Sequence, residues 1–365
     1  MSIGLMSKKS GLNDAAYGKI ETPLRMVIQH ESDALAKKQE YVNKLFVEMP
    51  SKRFAETIVG GNEFGDFEIT GEGEGAKNDS VEETYRAIIR PLQFTKEFAI
   101  TAEMIEDANY GLAADARRRA EDFTRAYFRT QTRFSSALLV QGTKKQMVFN
   151  GTTYDIGAPR HVNDAAGNQP LFYNAHPYGA KGASTTQSNY FYDTNLANAA
   201  QGKPVLDEVK FEAIVDMAAF KILNMKDENG NALGYAADTL VIPANCQNLA
   251  RIAKKVFASF QLGGGTGGTN LSNNLLYNTM TLIIDPFWQA ERNEFILMSS
   301  EANRALGGNV FVNRVGLDLK SWVDNHTRNF ITNGRSRFGV GNGSYKHIVR
   351  VTEENNAAGA SGLED

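Results

Sequence analysis

The chain lacks several features on which large classes of proteins depend. It holds one cysteine among 365 residues, Cys246, which excludes an intrachain disulfide and any multi-cysteine metal site. No stretch reaches 18 consecutive apolar residues, and no apolar core of signal-peptide length follows the lysines near the start. The net charge of -3 is far from the strongly basic balance of dedicated nucleic-acid binders. We therefore expect no membrane contact, no secretory signal, and only weak, unspecific contact with DNA.

Motifs for catalysis and cofactor binding are also missing. The five histidines never fall at the short helical spacings that build a metal site. The glycine-rich loop has the spacing of a dinucleotide-binding fingerprint at Gly263, Gly265 and Gly268. That motif requires a preceding strand, whereas the sequence predicts a helix before this loop. The segment 227–238 begins like a calcium loop but lacks its glycine and its final glutamate, which favours a plain turn. We predict no catalytic residue, no cofactor and no metal, and we assign Cys246 to packing rather than to nucleophilic catalysis.

The segment 92–142 organises the rest of the chain. Apolar residues recur at every second position over 92–100, which predicts a strand. Over 112–141 they recur at spacings of three and four, which predicts one long helix that Gly142 ends. At 1.5 Å per residue this helix spans about 45 Å, more than a compact domain requires. Such a rod is typical of a scaffold.

The outer face of this rod is rich in arginine. Three acidic residues lie on this face, Asp115, Glu121 and Asp122. Its six basic residues are Arg117, Arg118, Arg119, Arg125, Arg129 and Arg133. Two interpretations remain open. The bases pair with acids one turn away on a solvated helix face, or the face meets an acidic partner.

An acidic hairpin precedes the rod. Alternating apolar residues predict two strands over 55–91, joined by a glycine-rich tip at 71–79 that carries Glu72, Glu74 and Lys77. Over 66–83 there are seven acidic residues and one lysine. A two-stranded hairpin of this composition is marginal alone in water. It is either a mobile surface hairpin or an arm that lies on a neighbouring copy, with the arginine-rich rod as its electrostatic counterpart.

The remaining segments predict further helices and strands. Residues 1–21 have little to bury and predict an arm, and a helix should follow over 22–49. A second unit should hold helices over 207–225 and 245–260 and strands at 239–242, 280–284 and 295–298. We expect further strands at 310–312 and 347–351 and a disordered tail over 355–365.

The order of these elements resembles that of the tailed-bacteriophage major capsid proteins with the Hong Kong 97 fold. The likeness covers about 55–351 and rests on the acidic hairpin, the strand Phe94-Thr95-Lys96-Glu97-Phe98-Ala99-Ile100-Thr101, the turn Glu103-Met104-Ile105-Glu106-Asp107 and the long helix. The segments Pro170-Leu171-Phe172-Tyr173-Asn174-Ala175-His176-Pro177 and Asp238-Thr239-Leu240-Val241-Ile242-Pro243 are similar to the Mu-like major head subunit branch.

This resemblance implies an α+β capsid fold and a division of the chain. An N-terminal arm and helix would cover 1–54, the extended hairpin or E-loop 55–92, and a peripheral domain with the spine helix 93–204. An axial α/β domain would cover 205–325, and 326–365 would return to the peripheral domain and end in a flexible tail. Some family members cross-link the hairpin to a neighbour through a lysine and an asparagine. Lys77 lies near the tip, but no matching asparagine and glutamate are identified.

The resemblance also implies partners and a location. Many copies, arranged as pentamers and hexamers with portal and scaffold proteins, would close around double-stranded DNA as the capsid of a virion assembled in the bacterial host cytoplasm. The expected contacts between subunits involve Glu72, Glu74, Lys77, Arg117, Arg118, Arg125, Arg129 and Arg133. Two alternatives remain, a compartment shell of the encapsulin type that carries a cargo enzyme and, further from the pattern, a soluble enzyme.

Overall fold

The fold mixes helices with several β-sheets, which confirms the α+β class. A computed structural model describes residues 17–61, 69–72, 75, 82–101, 103, 112–164, 167–197, 206–263, 271–274, 276–353 and 360–363. Within them the helices are α1 (Tyr17–Lys38), α2 (Glu40–Leu45), α3 (Leu112–Val140), α4 (Glu208–Leu223), α5 (Gln247–Ala258) and α6 (Ser300–Ala305), with a 3-10 turn at Thr194–Leu196.

The strands of the same residues fall into two larger sheets and several short ladders. The first half of the chain holds β1 (Val47–Pro50), β2 (Glu56–Gly61), β3 (Glu83–Ile89), β4 (Leu92–Ile100), β5 (Gln146–Phe149), β6 (Thr152–Asp155), β7 (Arg160–His161), β8 (His176–Pro177) and β9 (Thr186–Gln187). The second half holds β10 (Tyr190–Tyr192), β11 (Thr239–Pro243), β12 (Gln261–Gly263), β13 (Leu271–Asn273), β14 (Thr281–Asp285), β15 (Glu294–Met298), β16 (Asn309–Val323), β17 (Phe330–Asn342), β18 (Ile348–Thr352) and β19 (Ser361–Gly362).

A long sheet supports the rod. Its order is β1-β16-β17-β4, and β16 and β17 run antiparallel for 15 and 13 residues. Helix α3 lies on this sheet, and its Phe123 occupies the place that a side chain at Gly334 of β17 would take. Phe94 of β4 stacks on Phe338 of β17 at 4.2 Å and meets Phe134 of the rod edge-on at 5.4 Å. The rod and the sheet thus form one rigid unit.

The second large sheet has the order β14-β11-β15-β18-β10-β19. Its central strands β11, β15 and β18 are buried along their whole length, as expected for strands covered on both faces. Helices α4 and α5 pack against each other and against strands of this sheet. Sheet and helices share one extensive core that also includes Leu138 and Leu139 at the end of the rod.

Several predicted bounds hold closely. The rod was expected over 112–141 and ends at Val140, and the strand expected over 92–100 is β4. The hairpin of 55–91 is present as β2 and β3, antiparallel from Glu56↔Ile89 to Gly61↔Glu83. Asp207, which we placed at a helix start, caps α4 by accepting a hydrogen bond from the Lys210 N–H at 2.9 Å.

The single helix expected over 22–49 is wrong. Gln39 interrupts it with φ -78° and ψ 63°, and residues 47–50 form β1, parallel to β16. Hydrogen bonds to β16 replace those that helical continuation would have made, so the backbone groups remain paired. Pro50 is compatible with this place because β1 is the edge of its sheet.

Three further expectations are also corrected. The tail is not wholly without structure, because β19 pairs with β10 and Leu363 is buried. The helix expected over 245–260 ends at Ala258, and Phe260 is 63% exposed. The ladder of β16 and β17 is far longer than the strand expected at 310–312. The division into domains stays a prediction.

Candidate assembly surfaces

The root of the hairpin is anchored to the body. Ile58 of β2 and Ile89 of β3 pack with Val310 and Val312 of β16 in a small apolar cluster. The Ile89 side chain also fills the space beside Gly341, where a Cβ would lie 2.5 Å from it. Burial of these side chains fixes the direction in which the hairpin leaves the body.

Several hairpin side chains beyond this root are more exposed to solvent. Val59 and Ile88, on the opposite face of the two strands, are 43% and 51% exposed. Ile69 is fully exposed, and Glu72 lies exposed in a turn. Glu74 and Lys77 fall outside the described residues. Beyond its root, the described part of the hairpin therefore leaves three large apolar side chains in water.

The rod arginines divide into two groups. Arg117 donates to Glu121 at 2.9 Å, and Arg125 lies 3.5 Å from Glu31 of α1 and 3.6 Å from Asp122. Ion pairs of this kind are typical of a solvated helix face. One partner, Glu31 of α1, was not predicted from the sequence. These pairs are worth less than about 1 kcal/mol each at this exposure.

Arg129 and Arg133 are more open, whereas Arg119 donates to the Ala99 carbonyl at 2.9 Å. Arg118 and Arg129 are exposed on α3, and for Arg129 the described ranges supply no ion-pair partner. The Arg133 guanidinium lies 5.3 Å above the Phe149 ring, which leaves its outer side in solvent. Among the described rod residues, the open cationic surface therefore centres on Arg129 and Arg133.

A buried ion cluster holds the loops beneath the hairpin. The Glu228 carboxylate accepts hydrogen bonds from Lys346 Nζ at 2.6 Å, His161 Nε2 at 2.9 Å and the Gly179 N–H at 2.7 Å. Burial alone would raise the pKa of Glu228, but these donors outweigh it and hold the pKa below its usual value. The cluster joins four distant segments, and spacing in the sequence gives no sign of it.

The same cluster borders a cleft of about 870 Å³ between β3 and residues 153–162. His161 is its one histidine, and both ring nitrogens are engaged, Nε2 with Glu228 and Nδ1 as acceptor of the Asn163 N–H at 3.1 Å. The arrangement fastens these loops together.

Two other predicted features are accounted for by local structure. Asp227 Oδ1 accepts hydrogen bonds from the N–H groups of Asn229 and Asn231, both at 2.8 Å, so the calcium-like segment is a turn. Burial raises the pKa of the Cys246 thiol, which donates to the Arg292 carbonyl at 3.4 Å. Across the residues that the structure describes, no cluster of three acidic, histidine or cysteine side chains is placed to hold a metal, and no helix is suited to crossing a membrane.

Two buried histidines make stability depend on pH. Burial lowers the pKa of His176 and of His347 to about 3, whereas both protonate near pH 6.5 in the unfolded chain. The unfolded state therefore binds more protons below pH 6.5, and stability falls as the pH decreases toward 3. We expect a slope of about 1.4 kcal/mol per pH unit for each histidine once the pH is well below 6.5.

Chemical denaturation of unassembled protein between pH 6.5 and 5 measures this slope above the range in which carboxyl groups titrate. His347→Asn should lower the slope relative to that of the parent protein. Equal slopes in the parent and His347→Asn would contradict the assignment.

Comparisons with known proteins find structural likeness only. No family model and no curated protein match the chain. Among solved structures, it is similar to "Capsid of native GTA particle" at 11% identity and TM-score 0.48, covering 86% of this chain and 90% of that one. It is similar to a structure described as "Mycobacterium phage Patience", at 11% identity and TM-score 0.47, covering 96% of this chain and 90% of that one. It is also similar to "Capsid of Ralstonia phage GP4", at 10% identity and TM-score 0.49, covering 87% of this chain and 90% of that one. With TM-scores below 0.5, these likenesses do not decide the function.

Proposed function

We propose that this chain is the major capsid protein of a tailed phage or prophage, a structural subunit that encloses a double-stranded DNA genome. The observation that carries the proposal is an anchored hairpin whose described outer residues, above all Ile69, lack cover within their own chain. A hairpin of this kind needs more surface than two strands provide. Copies of the same chain supply that surface in a homo-oligomer.

The rigid part of the molecule suits mechanical enclosure. The rod and the long sheet are joined by aromatic contacts, such as those of Phe94 and Phe98 of β4 with Phe134 and Phe123 of the rod. At 1.5 Å per residue the 29 residues of α3 span about 44 Å. A stiff element of this length transmits load between contacts at its two ends, which a shell under internal pressure from packed DNA requires.

The expected domains fit this role. The arm and helix of 1–54 and the hairpin of 55–92 would reach neighbours, and the peripheral part would carry the rod. The axial part, 205–325, would meet its counterparts in pentamers and hexamers. Portal and scaffold proteins complete the assembly in the host cytoplasm, the location of the finished protein is the virion capsid, and contact with DNA is weak and unspecific. No step of this function is chemical, so no cofactor is required.

Electrostatics suggests where the hairpin lies. The acidic tip with Glu72 and Glu74 would rest on Arg129 and Arg133 of an adjacent rod, because these bases keep an outer side open to solvent. Arg117 and Arg125 would contribute less, since acids of their own chain already neutralise them.

Negative-stain microscopy of particles from cells that express the full chain tests the function. We expect closed, uniform shells, with DNA inside when the other head proteins are present. Shells that hold an enzyme and no DNA would instead support a compartment role. A monomer at all concentrations, with or without a scaffold protein, would contradict both kinds of shell.

A further inference from the structure

Helix α4 is apolar on two sides. Its inner side is buried in the core through Phe211, Ile214, Val215, Ala218 and Ile222. Its outer side carries Val209, Ala213, Asp216 and Phe220, spaced by four, three and four residues, which places them on one ridge. Val209 is 38% and Phe220 53% exposed. A surface helix normally turns polar residues outward, so this outer ridge has the composition of a contact surface.

Helix α5 has an outer ridge of opposite character. Gln247, Arg251, Lys254 and Ala258 repeat the same spacing and are all exposed, while Leu249, Ile252, Ala253 and Val256 face the core. Arg251 donates to Asn248 on its own helix at 3.1 Å, and for Lys254 the described residues supply no ion-pair partner. This ridge offers two cations on long aliphatic stems.

The two ridges do not cover each other within one chain. Helices α4 and α5 are held side by side, and Lys255 donates to Glu208 at 2.5 Å between them. The apolar residues of the α4 ridge and all four residues of the α5 ridge nevertheless remain exposed, so neither ridge covers the other. One molecule therefore presents an apolar ridge with one acid and a basic ridge at a fixed angle to each other.

We infer that the α4 ridge of one copy packs against the α5 ridge of the next copy of this chain. The aliphatic stems of Arg251 and Lys254 would cover Val209 and Phe220, and their charged ends would lie over the Phe220 ring. Asp216, the one acid within the apolar ridge, pairs with Lys254. A second copy of this chain is the partner that charge complementarity favours, because its α5 ridge supplies the cations that match Asp216 on the α4 ridge.

The geometry of this contact has a consequence for assembly. Two different surfaces meet, so the contact is head-to-tail, and such contacts close into rings when the rotation between copies permits it. The inference rests on the proposed shell function and assigns to these two helices the contact that joins subunits within a ring. Its partner is a second copy of this chain, at a surface separate from the hairpin and the rod.

Charge reversal in the full chain tests the contact. Lys254→Glu and Asp216→Lys should each weaken the association of subunits into rings by at least about tenfold, because like charges then oppose each other. The double variant should restore most of the association. Native mass spectrometry and sedimentation velocity measure the rings, and circular dichroism confirms that each variant is folded. Lys181→Glu, in an exposed loop, serves as the matched control.

The outcomes separate this contact from the shell function. If the parent forms shells and both single variants form rings and shells at parental yield, the ridge contact is overturned and the shell function stands. If the single variants fail and the double variant does not recover, the pairing of these two ridges is overturned. A parent that stays monomeric under all conditions overturns the shell function as well.

Discussion

Replacing Arg350 with methionine is expected to lower the free energy of unfolding by about 3–5 kcal/mol, because it leaves a buried carboxylate without its counter-charge. Arg350 Nε and Nη2 donate to Glu294 Oε2 at 3.0 and 2.7 Å, and both side chains are largely buried. The guanidinium lies 5.0 Å from the Trp288 ring and 5.5 Å from the Phe172 ring.

The same arginine joins the rod to the second sheet. Its Nη1 donates to the Val140 carbonyl at 2.9 Å, at the C-terminus of α3, where a cation also complements the helix dipole. Arg350 itself belongs to β18 of the six-stranded sheet. Loss of this residue therefore removes a polar connection between the rod and the second sheet as well as the ion pair.

Two variants make the Arg350 result specific. Arg335→Met removes a pair with Asp318 at 3.5 Å whose side chains are about half exposed, and should cost less than about 1 kcal/mol. Arg350→Met combined with Glu294→Leu should recover much of the loss, because replacing both members of a buried pair is often close to neutral. Urea denaturation of unassembled protein gives the values. A loss below about 1 kcal/mol for Arg350→Met would contradict the assigned role.

Reversing the charge of the hairpin tip is expected to abolish assembly while the body remains folded. Glu72→Lys with Glu74→Lys would place like charges against the rod of the neighbour, and particle yield should fall by at least about tenfold. The root of the hairpin, where Ile58 and Ile89 are packed, lies away from the changed residues, so thermal stability should stay at the parental value.

A compensating change identifies the partner of the hairpin. Reversal of Arg129 together with the two hairpin changes should restore part of the particle yield. Arg125 is a poorer choice, because its reversal would also repel Glu31 and Asp122 of its own chain. Glu291→Lys, at an exposed site on the second unit, controls for the reversal of an exposed acid elsewhere on the surface. Parental particle yield from the hairpin variant and from Arg129→Glu alone would contradict the docking.

The periodicity of apolar residues in the sequence was sufficient to locate the helices and strands that have one clearly buried face. The rod repeats apolar residues every three or four positions, and β4 alternates them, so both were located within a residue or two. The hairpin followed from two alternating runs around a glycine-rich tip. In each case the local pattern and the tertiary packing favour the same structure.

Strand β17 was not predicted from the sequence, because tertiary packing overrides the low strand propensity of its residues. Its sequence includes Gly334, Gly339 and Gly341, residues that weaken a strand in isolation. In the structure these positions receive other parts of the chain, with Phe123 against Gly334 and Ile89 against Gly341. Only the folded arrangement of the rod and the hairpin explains why glycine is needed there.

The buried ions could not be predicted for a different reason. Glu294 and Arg350 are 56 residues apart, and Glu228 and Lys346 are 118 apart. A single sequence carries no periodic signal that links residues at such separations. The arginines of the rod, by contrast, were visible as a group, but their division into paired and open members depends on α1, whose Glu31 neutralises Arg125.

The most direct test of the account is a cryo-electron microscopy map of the assembled protein, into which the subunit is fitted. We predict a closed shell in which the β2–β3 hairpin leaves its own body and its tip, including Ile69 and Glu72, lies on the α3 rod of an adjacent copy. A hairpin whose tip folds back onto its own body, or a protein that forms no closed particle, would contradict the claim that each chain completes its packing on its neighbours.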